Sequence, residues 1–208
     1  MNPYESALWA GLEGRVMRPG GLALTKRLLE LSGLPPGAAV LDVGCGLGAS
    51  VAHMRAAGLD AAGVDRSAEL IGRALSANPE LPLRVADACA LPFEPGFSAV
   101  LLECALSETA DPAAVLAECH RVLAPGGLAM ASDIYDAGSD GFLSERYWLD
   151  IVRSAGFHVT LFEGRAADLR SFAAQIVWDY GSLSGFFACE NYRKLAIPSY
   201  FAMIARKP

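Results

Sequence analysis

Residues 40–50, VLDVGCGLGAS, run from a short apolar stretch holding one acid into three alternate glycines, Gly44, Gly46 and Gly48. The pattern then resumes as SVAHMRAAG, which has helical spacing and stops at Gly58. A strand, a glycine turn and a helix in immediate succession open a parallel α/β unit, because parallel strands need a crossover long enough to hold a helix. With Ala49 the run also satisfies G-x-G-x-x-G/A, so the loop taken alone is compatible with a dinucleotide.

The alternation continues down the chain. AAVLDV (38–43) and DAAGVD read as strands, and SAELIGRALSA reads as a helix capped by Ser67. LPLRVAD (81–87) and FSAVLLE (97–103) follow as strands that each end in an acid. DPAAVLAECHRVL (111–123) has Asp111 at the N-cap and Pro112 at the first helical position, and APGG reads as the turn into strand GLAMASD. LSERYWLDIVRSAG (143–156) is helical, FHVTLFE (157–163) a strand and AADLRSFAAQIVWDYG (166–181) a helix; PSYFAMIARKP closes the chain as a strand that tolerates Pro198 at its start. Such alternation predicts an α/β fold with a mostly parallel sheet. Ahead of it, ESALWAGLE and GGLALTKRLLELS read as two helices, giving an N-terminal helical cap over 1–36 and a main domain over 37–208.

The 208 residues suffice for one domain with its own core. No apolar run approaches the ~20 residues needed to span a bilayer. No basic residue precedes Arg15 and no signal-like apolar segment opens the chain, so a cytoplasmic, membrane-free protein is expected. Cys45, Cys89, Cys104, Cys119 and Cys189 are odd in number and widely spaced, which argues against a disulfide framework and against a metal site. His53, His120 and His158 fall within elements and read as structural, and Trp148, Trp178 and Tyr180 read as core. A net charge of −6 without Lys/Arg clusters excludes nucleic acid as the expected partner, and the apolar composition is compatible with a homodimer.

In an open parallel sheet the ligand lies beyond the carboxyl ends of the strands. Asp65, Asp87 and Glu103 stand at such ends, and Asp42 sits inside the glycine motif. An acidic rim disfavours a pyrophosphate and favours a cation, which makes the phosphate-free sulfonium of S-adenosylmethionine the better match. Asp65, 17 residues beyond Gly48, suits a carboxylate that accepts ribose hydroxyls in either cofactor. Asp87, followed by the free amide of Ala88, suits an adenine amino group and ring nitrogen.

The segments VLDVGCGLG, GVDRS, ADACALPFEPGFSAVLLE and DPAAVLAECHRVLAPGGLAMASD, in that order, resemble class I S-adenosylmethionine-dependent methyltransferases, in particular the small-molecule branch of methyltransferase type 11, over residues 36–135. The resemblance implies a Rossmann-like, doubly wound, seven-stranded sheet with the last strand antiparallel. It places Asp42, Gly44, Gly46 and Gly48 around the methionine moiety, Asp65 at the ribose, Asp87 and Ala88 at the adenine and Glu103 near the amino group, with Cys45 and Arg66 also counted among the cofactor-binding residues. The expected reaction is in-line methyl transfer to a small-molecule substrate, with S-adenosylhomocysteine as product. After the fourth strand this chain reads ECALSE, where many relatives carry Asn or Ser and then His or Tyr. No catalytic base stands out: Glu103, Glu108, Asp133 and Tyr135 are candidates, and a thiol or metalloid acceptor would need none. Arg15 and Arg18 are candidates for an anionic substrate or the cofactor carboxylate. A nucleotide-dependent oxidoreductase and a non-catalytic S-adenosylmethionine-binding protein are the alternative readings.

Overall fold

The computed structural model describes residues 18–183 and 195–208. Within them β1 (Ala39–Val43), β2 (Asp60–Asp65), β3 (Leu83–Val85), β4 (Phe97–Glu103), β5 (Leu123–Asp136), β6 (His158–Gly164) and β7 (Pro198–Arg206) form one sheet of order β3-β2-β1-β4-β5-β7-β6. Pairing is parallel from β3 through β5, and β7 runs antiparallel to both β5 and β6. The central strands β1 and β4 are buried over continuous runs, Val40–Val43 and Ala99–Glu103, instead of alternating. That is what parallel strands covered on both faces require.

The helices are α1 (Gly21–Ser32), α2 (Ala49–Ala56), α3 (Ala68–Ala77), α4 (Pro112–Val122), α5 (Glu145–Ser154) and α6 (Ala166–Tyr180). Local chemistry sets several of their starts. The Ser67 hydroxyl accepts the Leu70 amide at 3.1 Å, Asp111 accepts the Ala114 amide at 2.9 Å ahead of Pro112, and Ser144 accepts the Tyr147 amide at 3.1 Å. Leu24 and Leu28 of α1 join the same buried cluster as Val40, Leu101 and Met54, and α1 packs on α2 and β7. The described part of the N-terminal segment is thereby joined to the body of the sheet.

Three readings need correction. β3 spans only Leu83–Val85 and not 81–87: it lies at the sheet edge, where Leu83 is buried while Arg84 and Val85 are exposed. The APGG turn falls inside β5, as an excursion between the Phe97–Leu123 and Ala99–Leu128 pairs. Backbone bonds between Lys207 and both Gly126 and Gly127 hold it. Trp148 is core, its indole N–H donating to the Ile134 carbonyl at 2.9 Å, whereas Trp178 is 86% exposed. ESALWAGLE, Arg15 and Cys189 lie outside the described residues. Among the described residues no helix is long and apolar enough to cross a membrane.

Candidate functional site

The order of connection reverses between β1 and β4, so the loops leaving their carboxyl ends diverge. A cleft of about 1200 Å³, counted to its open mouth, lies there. The glycine loop forms one wall. Gly44 (φ +84°) and Cys45 both donate backbone N–H groups to the Val64 carbonyl, at 2.8 and 3.0 Å. A Cβ on Gly44 would sit 2.9 Å from Cβ of Ala105, so the close approach of the β1 and β4 loops depends on that glycine. Gly46 donates its N–H to Asp65 Oδ2 at 2.9 Å, and Ser67 donates to Asp65 Oδ1 at the same distance. Two amides thus fix this carboxylate at the lip of β2.

Asp65, Arg66, Asp87 and Ala88 line the cleft together with Gly44, Cys45, Gly46 and Glu103. Asp87 is exposed, and its Oδ1 accepts the Cys89 amide at 2.9 Å. Gly48 and Asp42, expected beside these residues, do not line it. Gly48 is the N-cap of α2, and a Cβ there would meet Leu83 at 2.8 Å, so its service is to the packing of α2 and β3. Asp42 is buried inside β1, 3% exposed. Burial, and next the Glu103 carboxylate, push it up to about 8 against the opposing pull of Arg18.

Glu103 organises the inner end. Its carboxylate accepts from the Thr25 hydroxyl at 3.0–3.1 Å and from the Ser50 hydroxyl at 3.1 Å, and it pairs with the guanidinium of Arg18. Arg18 also donates to Thr25 at 2.6 Å and to Ser50 at 2.9 Å. Burial works against the Arg18 charge, but Glu103, Tyr200 and Asp42 outweigh it and push the guanidinium further up. Arg18 lines the cleft, and its Nε is buried without a hydrogen-bond partner among the described residues.

The candidate bases separate. Glu103 and Glu108 line the cleft; Asp133 and Tyr135 do not. β5 continues past the end of β4, which carries both of the latter away from the opening. Asp133 is fully buried, takes the Ser107 and Ile134 amides at 3.0 and 2.8 Å, and is pushed by burial up to about 6. Tyr135 packs edge-on against Phe162 and Phe201. Thr25 and Ser50 escaped the sequence reading, since a Thr inside a helix and a Ser in a first helical turn carry no signal of a shared carboxylate 78 and 53 residues away. Among the described residues no group of three or more His, Cys, Asp or Glu could hold a metal ion.

A reversed parallel sheet with an antiparallel closing strand, carrying a glycine loop and strand-end acids at its switch point, defines the Rossmann-like class I methyltransferase fold. Residues 41–131 match the model of the methyltransferase domain, type 11. It is 34% identical over 107 residues to the demethylmenaquinone methyltransferase of Renibacterium salmoninarum, a match covering 51% of this chain and 45% of that protein. The chain spans about half the length of the curated relatives it matches. Its fold superposes on phosphoethanolamine N-methyltransferase 2 of Haemonchus contortus, solved with S-adenosyl-L-methionine, with a TM-score of 0.78, 20% identity and coverage of 97% of this chain and 56% of that one. The [4+2]-cyclase SpnF shares the fold with a TM-score of 0.73, 24% identity and coverage of 89% and 80%.

Proposed function

We propose that this protein transfers a methyl group from S-adenosylmethionine to a small-molecule acceptor. One observation carries the reading: a single cleft at the switch point gathers the glycine loop, Asp65, Asp87 and the Arg18–Glu103 pair. The residues suit that cofactor on their own chemistry. Each Asp65 oxygen takes one backbone amide and keeps acceptor capacity for ribose hydroxyls. Asp87 and the Ala88 amide suit the adenine edge, and the guanidinium of Arg18, which lines the cleft, suits the carboxylate of the methionine moiety. When bound, the cofactor supplies an electrophilic methyl on a sulfonium, and the S–CH3 bond breaks as the acceptor attacks in line. Much of the acceleration in such a displacement comes from holding the partners aligned, which is what the rigid lip and inner wall provide.

For an acceptor that loses a proton, Glu108 and Glu103 are the candidate bases that line the cleft, Glu103 being bonded there to Arg18, Thr25 and Ser50. The small-molecule acceptor is supported by the relatives, whose names specify demethylmenaquinone or ubiquinone biosynthesis, and by the net charge of −6. Thermal unfolding with added ligand tests the cofactor: S-adenosylhomocysteine should raise Tm and NAD should not. The reverse result would overturn the reading. Transfer of label from methyl-labelled S-adenosylmethionine into a metabolite extract tests turnover, and failure with a protein that binds the cofactor would leave only a binding role.

A further inference from the structure

Cys104 follows the last residue of β4 and has φ +54°. Side chains rarely adopt this left-handed conformation, because the Cβ is crowded there. Such a residue persists only where its surroundings hold it. Of the two non-glycine positive-φ residues described, Cys104 and Leu143, Cys104 lines the cleft. Its amide donates to the Ser132 carbonyl at 2.8 Å. Its thiol meets the hydroxyl of Tyr200 at 3.1 Å, and the same hydroxyl meets Ser132 Oγ at 3.1 Å.

Tyr200 comes from β7, 96 residues further along the chain, and is fully buried. Burial, with Cys104 and Asp133 nearby, pushes its phenol well up, and burial likewise pushes up the Cys104 thiol. Both stay protonated, so the contact is a neutral hydrogen bond and not a charge relay. Next to Cys104 on either side stand Glu103, which closes the inner wall with Arg18, and Ala105, which abuts Gly44 of the glycine loop. A change in the turn at Cys104 would move both.

We propose that Tyr200 is a positioning residue: its hydroxyl pins the Cys104 side chain and so holds the left-handed turn that sets residues 103–105 against the cofactor cleft. This rests on the reading that the cleft receives S-adenosylmethionine or its product. The closing strand, although it supplies no cleft-lining side chain, then acts on the binding wall through one hydrogen bond.

The test is titration calorimetry with S-adenosylhomocysteine. Tyr200→Phe should weaken binding about fivefold, the value of one lost neutral hydrogen bond. Cys104→Ala, a small change that avoids cutting into the buried ring, keeps the Cβ and loses the tie, so it should weaken binding to the same extent. Cys104→Gly should recover most of that loss, because glycine takes a positive φ without crowding. In the Cys104→Gly background Tyr200→Phe should then change binding less than twofold, whereas in Cys104→Ser, which keeps a hydroxyl for Tyr200 to hold, its cost should persist. Equal costs in the Gly and Ser backgrounds, or wild-type binding by Cys104→Ala, would overturn the inference while leaving the cofactor reading intact. Absence of binding by the wild-type protein would overturn both.

Discussion

The two walls of the cleft reach similar ends by different means. On the β1–β3 side, Asp65 is fixed by amides of Gly46 and Ser67, and Asp87 by the amide of Cys89, two residues on. On the β4 side, Glu103 is fixed by side chains of Arg18, Thr25 and Ser50, from the N-terminal segment, α1 and α2. The first wall is thus local backbone chemistry at the solvent edge. The second is a buried ion pair held by distant elements. Backbone-held acids should therefore be removable with loss of ligand binding and modest loss of fold, whereas breaking the buried pair should cost the fold itself.

Breaking the buried wall should have the largest effect. Arg18→Ala strips Glu103 of its counter-charge where its side chain is 3% exposed, and an uncompensated buried charge costs about 3–5 kcal/mol. Urea unfolding should show a loss of that size, and adding Glu103→Gln should recover most of it by removing the stranded charge. A single Arg18→Ala loss below about 1 kcal/mol would show that the pair is far better solvated than its burial implies.

Asp42, buried beneath the same wall, sharpens the contrast through pH. Its folded-state value, pushed up to about 8, exceeds the ordinary 3.8, so the folded protein holds a proton that the unfolded chain releases. Its contribution is therefore greatest at low pH and is lost as pH rises towards 8. Asp133 acts in the same direction but is spent by about pH 6. Between pH 6 and 8 the stability of Asp42→Asn relative to wild type should rise, by at most ~1.4 kcal/mol per pH unit. A pH-independent difference measured by urea unfolding would show that Asp42 is ionised in the fold.

Legibility in the sequence follows the same division. The glycine loop, the acids ending β2 and β4, the Ser67 and Asp111 caps and the closing strand were all visible, because each is a pattern within a few consecutive residues. Asp65 and Asp87 were read as rim acids for the same reason, and they do line the cleft. The shared carboxylate of Glu103 was not visible, since nothing around Thr25 or Ser50 announces a partner dozens of residues away. Asp133 and Tyr135 misled for a related reason. Their place at the end of a strand was readable, but how far β5 overshoots β4 depends on its pairing with β7, Asp136 lying opposite Pro198. Trp178 shows that an aromatic at helical spacing does not by itself mark the buried face.

The backbone-held acids offer the smaller effects. Asp65→Ala frees the Gly46 and Ser67 amides at a half-buried site, which should lower stability by about 1–2 kcal/mol. Because Asp65 is also the proposed ribose ligand, S-adenosylhomocysteine binding should fall about tenfold or more. Asp87→Ala is the cleanest case of all. Asp87 is exposed and its carboxylate holds an amide that water can satisfy, so urea unfolding should change by less than about 0.5 kcal/mol. Binding of S-adenosylhomocysteine should nonetheless weaken about tenfold, since the adenine amino group would lose a charged acceptor. Adenosine, which keeps the adenine and ribose but lacks the methionine end, should feel Asp87→Ala as strongly as the whole ligand does and Arg18→Ala hardly at all. If both substitutions weakened adenosine equally, the two walls would not be dividing the cofactor between them, and the contrast drawn from their construction would not extend to what they bind.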